Sequence, residues 1–291
     1  MTAVLLALGA AVAYGVGDFL SGSASRTVHF ARIALVTQAV MTAVTWAVVW
    51  PVGGTMSGSV IGWGLVAGVG ASLGTVTLYR GLGSGQMNVV APLSAATAAI
   101  VPAAFGVLTG ERPSWLVLAG VVVIVPAIWL ISSGERQPGE DRRLKEGAGD
   151  GLLAGIAFAV SFIALDRAPA DGGLWPAAFT QLSALGVIGL AVGSLLRPGR
   201  SESVRSDRAT APERRRAYLA AAAAGVLGAC AVAAFLYATG SGILVVTSVL
   251  TSLYPAVTVL LARLLLLETA SRLQVVGLLL AVVGVVLVVG G

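Results

Sequence analysis

Ten runs of about 20 mostly apolar residues divide this chain of 291 residues, and hardly a charge interrupts them. A helix needs about 20 such residues to cross the hydrocarbon of a bilayer, so each run is long enough to span. The runs cover 3–20, 31–52, 60–79, 87–108, 115–132, 151–168, 174–196, 217–238, 243–266 and 273–289. Almost no run has a charged face, which excludes a helical bundle in water. Only 11% of residues are charged, against about 25% in an average soluble domain. The 38 glycines suit close helix approach, because packing replaces the hydrophobic effect as the attraction inside a membrane. The expected fold is therefore an all-α membrane protein of ten transmembrane helices.

The first run resembles a signal peptide only in length. No basic segment precedes it and Asp18 lies within it, so it reads as an uncleaved first span. Two polar segments remain. Residues 135–150 hold four basic and five acidic residues, and residues 197–216 hold seven arginines. Both read as solvated loops, with Arg214, Arg215 and Arg216 as an anchor at the membrane surface. Lysine and arginine collect on one side of the ten-span topology. Of 18, 16 fall at the loops after spans 1, 3, 5, 7 and 9, and only Arg112 and Arg167 face the other way. The positive-inside rule then places both termini outside the cytoplasm, in a multi-pass cell or inner membrane protein. The net charge of +5 does not indicate nucleic acid, since the basic residues sit in short loops with no aromatic-basic face.

The chain also repeats itself. A shift of 157 residues superimposes Gly83-Ser84-Gly85 on Gly240-Ser241-Gly242, Leu93 on Leu250, Glu111 on Glu268, Ser114 on Ser271 and Gly120 on Gly277. Earlier in each half, Thr37-Gln38 matches Thr180-Gln181 and Tyr14 matches Phe158. Five spans per half is an odd number, so the second half enters the membrane from the opposite side. The expected organisation is a first five-helix repeat at 1–133, a charged linker at 134–150 and a second repeat at 151–291 that contains the basic loop 197–216. Inverted repeats suit alternating access around a site near the bilayer midplane.

Glu111-Arg112-Pro113-Ser114 with Gly120, and Glu268-Thr269-Ala270-Ser271 with Gly277, resemble the EamA-like domain of the drug/metabolite transporter superfamily. Pro255 stands at the spacing of the proline that precedes the glutamate in that pattern, while the first half has Ala98 there and Pro102 one turn later. Tyr14-Gly15-Val16-Gly17-Asp18-Phe19 resembles the family's first-helix motif, with Asp18 where asparagine is often found. The resemblance implies two five-helix repeats around a central cavity, and passage of a small metabolite, amino acid or drug, with export the expected direction. Many members place both termini in the cytoplasm, opposite to the charge distribution of this chain.

Asp18 is the sharpest candidate residue. A carboxylate in hydrocarbon is costly and faces a cavity or a partner, which makes Asp18 a candidate for both substrate binding and proton coupling. Gln38 and Gln181 occupy matching places and offer hydrogen bonds either to a substrate or across helices. Arg80, after Tyr79 at the end of its span, either attracts anionic substrates or snorkels to the interface. Tyr14, Phe158, Phe162, Tyr237 and Tyr254 are candidates to stack on a substrate or a cation. Pro92, Pro102 and Pro255 are candidate helix-distorting residues, with Pro126 in a further span, and the Pro92–Pro102 pair marks the fourth span for distortion. Glu111 and Glu268 read as structural, each favouring the N-terminus of the helix that follows it. The single His29, the single Cys230 and the absence of catalytic, nucleotide or metal-ligand spacing argue against an enzyme, a metal site and any cofactor. The expected partners are a small-molecule substrate and the lipid bilayer, and ten spans can enclose a site within a monomer. A lipid-carrier flippase of the same architecture and a non-transporting membrane scaffold are the alternatives.

Overall fold

In hydrocarbon no water is present to satisfy a backbone N–H or C=O, so a spanning chain must close its hydrogen bonds within helices or a barrel. This chain closes them within helices. The computed structural model describes residues 1–83, 87–132, 144–195, 210–265 and 271–291, with the backbone alone at 79–83, 87–89, 91–92, 144–147, 194–195 and 263. The helices are α1 Thr2–Ser25, α2 Phe30–Val52, α3 Gly58–Gly83, α4 Met87–Leu108, α5 Trp115–Ser132, α6 Leu144–Asp166, α7 Trp175–Leu195, α8 Ala211–Ser241, α9 Leu244–Thr251, α10 Tyr254–Leu265 and α11 Arg272–Gly290. Among the described residues, nine helical stretches are long and apolar enough to cross a membrane, and Leu93–Leu108 within α4 is a shorter apolar tenth.

Three expectations change. The ninth span is two helices, because Pro255 offers no N–H to continue the ladder. The Ser252 N–H closes on the Ser248 carbonyl at 2.9 Å, and the Ala256 N–H on that of Leu253 at 2.9 Å. Pro255 then sits in the first turn of α10, where its missing N–H costs nothing. Ser248 Oγ also donates to the Leu244 carbonyl at 2.6 Å, a back-bond that bends helices. The fourth span, by contrast, runs as one helix through Pro92 and Pro102. Both charged loops shorten. α6 begins at Leu144, and α8 begins at Ala211 behind a capping box in which the Thr210 N–H donates to Glu213 Oε2 at 2.8 Å. Arg214, Arg215 and Arg216 are thus helical rather than part of a loop. The rest of both segments, 133–143 and 196–209, lies outside the described residues, as do the first Gly-Ser-Gly turn's Ser84 and Gly85 and Glu268.

Chain termini and alternate loops gather at one end, the terminal face. The Thr55 N–H donates to the Asp171 carbonyl at 2.8 Å, which joins the α2–α3 and α6–α7 connections. Gly54 makes this approach possible: its φ of +127° and the adjacent Gly172 carbonyl leave no room for a Cβ. Arg167 Nη2 donates to Thr109 Oγ1 at 2.8 Å. The opposite end, the basic face, carries Arg26, Arg32, Arg214–216 and Arg272.

Between the faces, α1 packs on α8, α9 and α10, and α6 packs on α3 and α4. α2 meets α7 and α8, α3 meets α7, α4 meets α5 and α9, and α5 meets α11. Small residues set the crossings. A Cβ at Gly120 would lie 2.8 Å from the Gly284 carbonyl, and one at Gly277 would lie 2.8 Å from the Ile131 nitrogen. Both fix the α5–α11 seam. Ser271 caps α11 by accepting from the Gln274 N–H at 3.2 Å, and Ser114 caps α5 by accepting from the Val117 N–H at 3.3 Å.

Gly120→Leu and Gly277→Leu force these two helices apart and are each expected to cost about 1–3 kcal/mol by overpacking. Gly62→Leu, which meets nothing within 4 Å, is the control. Detergent-solubilised thermal melts should show lower midpoints for the first two and none for the third; three equal midpoints would refute the seam.

Candidate functional site

In a helix, residues three and four apart share a face. On α1 that rule collects Ala3, Ala7, Ala10 and Ala11 into one stripe, and all four are buried. Leu5 and Val12, on the other side, are 66% and 51% exposed. The alanine stripe therefore faces the protein and the leucine side faces outward. Tyr14 and Asp18 continue the inward stripe toward the basic face. Tyr14 is half-buried, while Asp18 is exposed. An inward-facing residue with open surface borders an accessible space inside the helix array.

The neighbours of α1 locate that space. A Cβ at Gly15 would lie 2.6 Å from the Tyr254 carbonyl of α10, and one at Gly17 would lie 3.4 Å from the Ala224 carbonyl of α8. By helical geometry the Asp18 side chain leaves α1 between these two contacts. The α9–α10 break matters here. All eight residues of α9 are buried, whereas no described side chain of α10 is. Thr258 Oγ1 donates to the Gly15 carbonyl at 3.1 Å and ties α10 to α1. The Tyr14 and Tyr254 rings meet edge to face with centroids 6.5 Å apart. Asp18 has no ion pair and no hydrogen bond with any described residue.

Toward the terminal face the stripe runs into an apolar cluster that includes Ala10, Tyr14, Phe105, Phe162, Phe235 and Leu244. Phe162 stacks on Phe235 with centroids 4.5 Å apart and planes at 29°. Beyond it, contacts between the two halves close the face. Trp46 Nε1 donates to the Ala178 carbonyl at 3.1 Å, and Trp50 meets Trp175 edge-on at 5.1 Å. The Arg167 guanidinium lies 4.8 Å from the centroid of Phe105.

Glu111 belongs to the same closure. Its Oε1 accepts from the Leu244 N–H at 2.6 Å and its Oε2 from the Val245 N–H at 2.9 Å. The carboxylate therefore satisfies the first turn of α9, in the other half of the chain, rather than the helix that follows it in sequence. Gly106 leaves room for it, since a Cβ there would meet the Glu111 carboxylate.

The remaining candidates disperse. Gln38 and Gln181 meet at the α2–α7 crossing, where Gln38 Nε2 donates to Gln181 Oε1 at 2.8 Å. They are 9% and 1% exposed. Thr42 Oγ1 donates to the Gln181 carbonyl at 3.2 Å, and Gln181 Nε2 has no partner among the described residues. The Phe158 ring packs against Gly74, where a Cβ would lie 2.6 Å from Cδ1. Tyr237 is exposed on α8, apart from Asp18. Tyr79 and Arg80 end α3, and their side chains lie outside the description. Thr258, Phe105 and Phe235 were not singled out by the sequence. Only contacts across the chain bring them to α1, α6 and Arg167.

No curated protein matches this chain. Among solved structures 25 chains match. One crystal structure has 18% identity and a TM-score of 0.70, covering 98% of this chain and 95% of its own; at that identity the likeness is one of fold. The model of the EamA-like transporter family matches residues 147–290. That stretch runs from the first turn of α6 to the end of α11, and it is an EamA-like transporter domain of the drug/metabolite transporter superfamily.

Proposed function

We propose that this protein is a secondary transporter that carries a small cationic metabolite or drug out of the cell in exchange for protons, with Asp18 as the carboxylate that both must occupy. One observation carries the reading: on the inward stripe of α1, Asp18 is accessible and lacks a partner among the described residues. An ionised carboxylate in that position is costly unless a proton or a cation compensates it. The faces of Tyr14 and Tyr254 add attraction for a cation. The half-buried Phe162, backed by the buried Phe235, would receive an uncharged portion of the solute.

Alternating access needs two related halves, and the packing scheme supports that reading. Exchange α1–α5 for α6–α11, with α9 and α10 together in the place of α4. The α1–α8 contact becomes α6–α3, α2–α8 becomes α7–α3, and α4–α6 becomes the contact of α9 and α10 with α1. The α2–α7, α4–α9 and α5–α11 contacts map onto themselves. Such a scheme is what two inverted repeats around a two-fold axis in the membrane plane would produce. The arginine distribution supports a cytoplasmic basic face with the termini outside. Asp18 then opens toward the cytoplasm, and Glu111, Arg167 and the tryptophans close the outer face. In this state a cation loads from inside. Rocking of one half against the other would part the terminal face, release the solute outside, and let a proton take its place for the return.

In proteoliposomes, an inside-versus-outside pH gradient should drive uphill uptake or extrusion of members of an amine and cationic-drug panel. Asp18→Asn should lower gradient-driven accumulation about tenfold, a loss of about 1.4 kcal/mol of coupling, while eluting from size exclusion as wild type does. Equal coupled transport by both proteins would remove Asp18 from the mechanism.

Glu111→Ala strands two N–H groups at the start of α9 and is expected to destabilise the protein by about 1–3 kcal/mol. Glu111→Gln keeps one acceptor and should cost less. Hydrogen exchange at Leu244 and Val245 is the direct readout. It should accelerate in the alanine variant, and unchanged exchange would show that the carboxylate does not hold α9.

A further inference from the structure

We propose that Arg26, Arg32, Arg214, Arg215 and Arg216 form a docking surface for the headgroup phosphates of anionic phospholipids at the basic face. Three separate segments build it. Ala24 and Val28 at the α1–α2 corner, Ile33 in α2, and Ala217 and Ala221 in α8 form one buried apolar cluster with Val36 and Tyr218 at its edge. Thr37 Oγ1 reinforces it by donating to the Ala221 carbonyl at 3.1 Å. Each arginine is adjacent in sequence, or nearly so, to a member of this cluster, so the packing draws all five to one corner. All five are exposed.

Arg26 has a partner of its own, and Arg216 lies in the field of the Glu213 carboxylate. Arg32, Arg214, Arg215 and Arg216 make no ion pair with a described residue. The acidic residue of the first turn of α8, Glu213, is committed to the cap, accepting at Oε2 from both the N–H and the Oγ1 of Thr210 at 2.8 Å.

The height of the corner identifies its partner. α8 has 31 residues, which makes it about 46 Å long at 1.5 Å per residue. The hydrocarbon core is about 30 Å thick. Ser241 ends α8 at the terminal face, so the opposite end projects about 16 Å past the hydrocarbon, into the headgroup layer. Phe30 supports this placement: it is 44% exposed and stacks on His29 with centroids 4.7 Å apart, an aromatic side chain suited to the membrane boundary. Guanidinium groups pair with phosphate oxygens in a two-pronged geometry. A phosphate held in the lipid plane meets several of these forks at once, whereas a free phosphate would have to be captured from fully screened solution. A bound headgroup would also join α1 to α8, the two helices between which Asp18 lies with α10.

Native mass spectrometry and thermal melts of the full chain in neutral detergent test the assignment, with phosphatidylglycerol as probe and phosphatidylcholine and inorganic phosphate as controls. Phosphatidylglycerol should remain bound and raise the melting midpoint, and the effect should fade at high salt. The variant Arg32→Gln/Arg214→Gln/Arg215→Gln/Arg216→Gln should lose about tenfold or more in apparent affinity, and the corresponding lysine variant should retain part of it. Should the four-fold variant fail to fold, Arg214→Gln/Arg215→Gln alone should show a smaller loss in the same direction. Equal retention of phosphatidylglycerol by wild type and folded variant, equal retention of phosphatidylcholine, or displacement of the lipid by millimolar phosphate would each overturn the proposal.

Discussion

α1 touches α10 at Gly15 and α8 at Gly17, and these two close approaches fix where every other residue of α1 points. A Cβ at Gly15 would collide with Val257 and the Tyr254 carbonyl and push α10 away, whereas one at Gly17 would make ordinary contact with α8. With both glycines in place, the alanines at 3, 7, 10 and 11 pack inward toward the terminal face and Asp18 is held inward toward the basic face. The one acidic residue within the first span is thus directed into the protein rather than into lipid. Small residues are the means by which membrane helices gain packing energy, and here the same contacts aim a functional group.

The two ends of the molecule differ in what holds them. At the terminal face, polar and aromatic contacts between the halves do the closing: Glu111 on the N–H groups of α9, Arg167 on Thr109, Trp46 on the Ala178 carbonyl. At the level of Asp18, α10 offers no fully buried described side chain and α1 offers serines at 21 and 25. The break at Ser252–Pro255 marks the boundary between these regimes. Above it α9 is entirely buried; below it no described side chain of α10 is. A proline inside a span thus permits one segment to serve as core in one half of the membrane and as wall in the other.

The spans were legible because hydrocarbon demands about 20 apolar residues in a row and tolerates little else. The starts of α5 and α11 were legible from where their apolar runs begin, but the caps at Ser114 and Ser271 emerge only from the hydrogen bonds. Two other features were not legible. Several prolines lie within spans and look alike in sequence, yet the helix parts at Pro255, where Ser248 adds a competing hydrogen bond, while α4 continues through Pro92 and Pro102. Glu111 was placed correctly at a helix junction but assigned to the wrong helix, because its acceptor geometry is satisfied by α9, more than a hundred residues away in sequence. The early starts of α6 and α8 escaped the hydropathy pattern for a simpler reason. Helices extend past the membrane wherever a polar first turn is well capped, as Thr210 and Glu213 cap α8.

The central claim is that the inward stripe of α1 lines a space open at the basic face and shut at the terminal face. Single cysteines on that stripe, in a Cys230→Ser background, measure it directly. With a membrane-impermeant maleimide applied to oriented vesicles, Asp18→Cys, Ser21→Cys and Ser25→Cys should label from the side of the basic face, and Ala7→Cys and Ala11→Cys should stay protected from both sides. Labelling of positions 7 and 11 as readily as 18, or protection of 18 from both sides, would contradict the account.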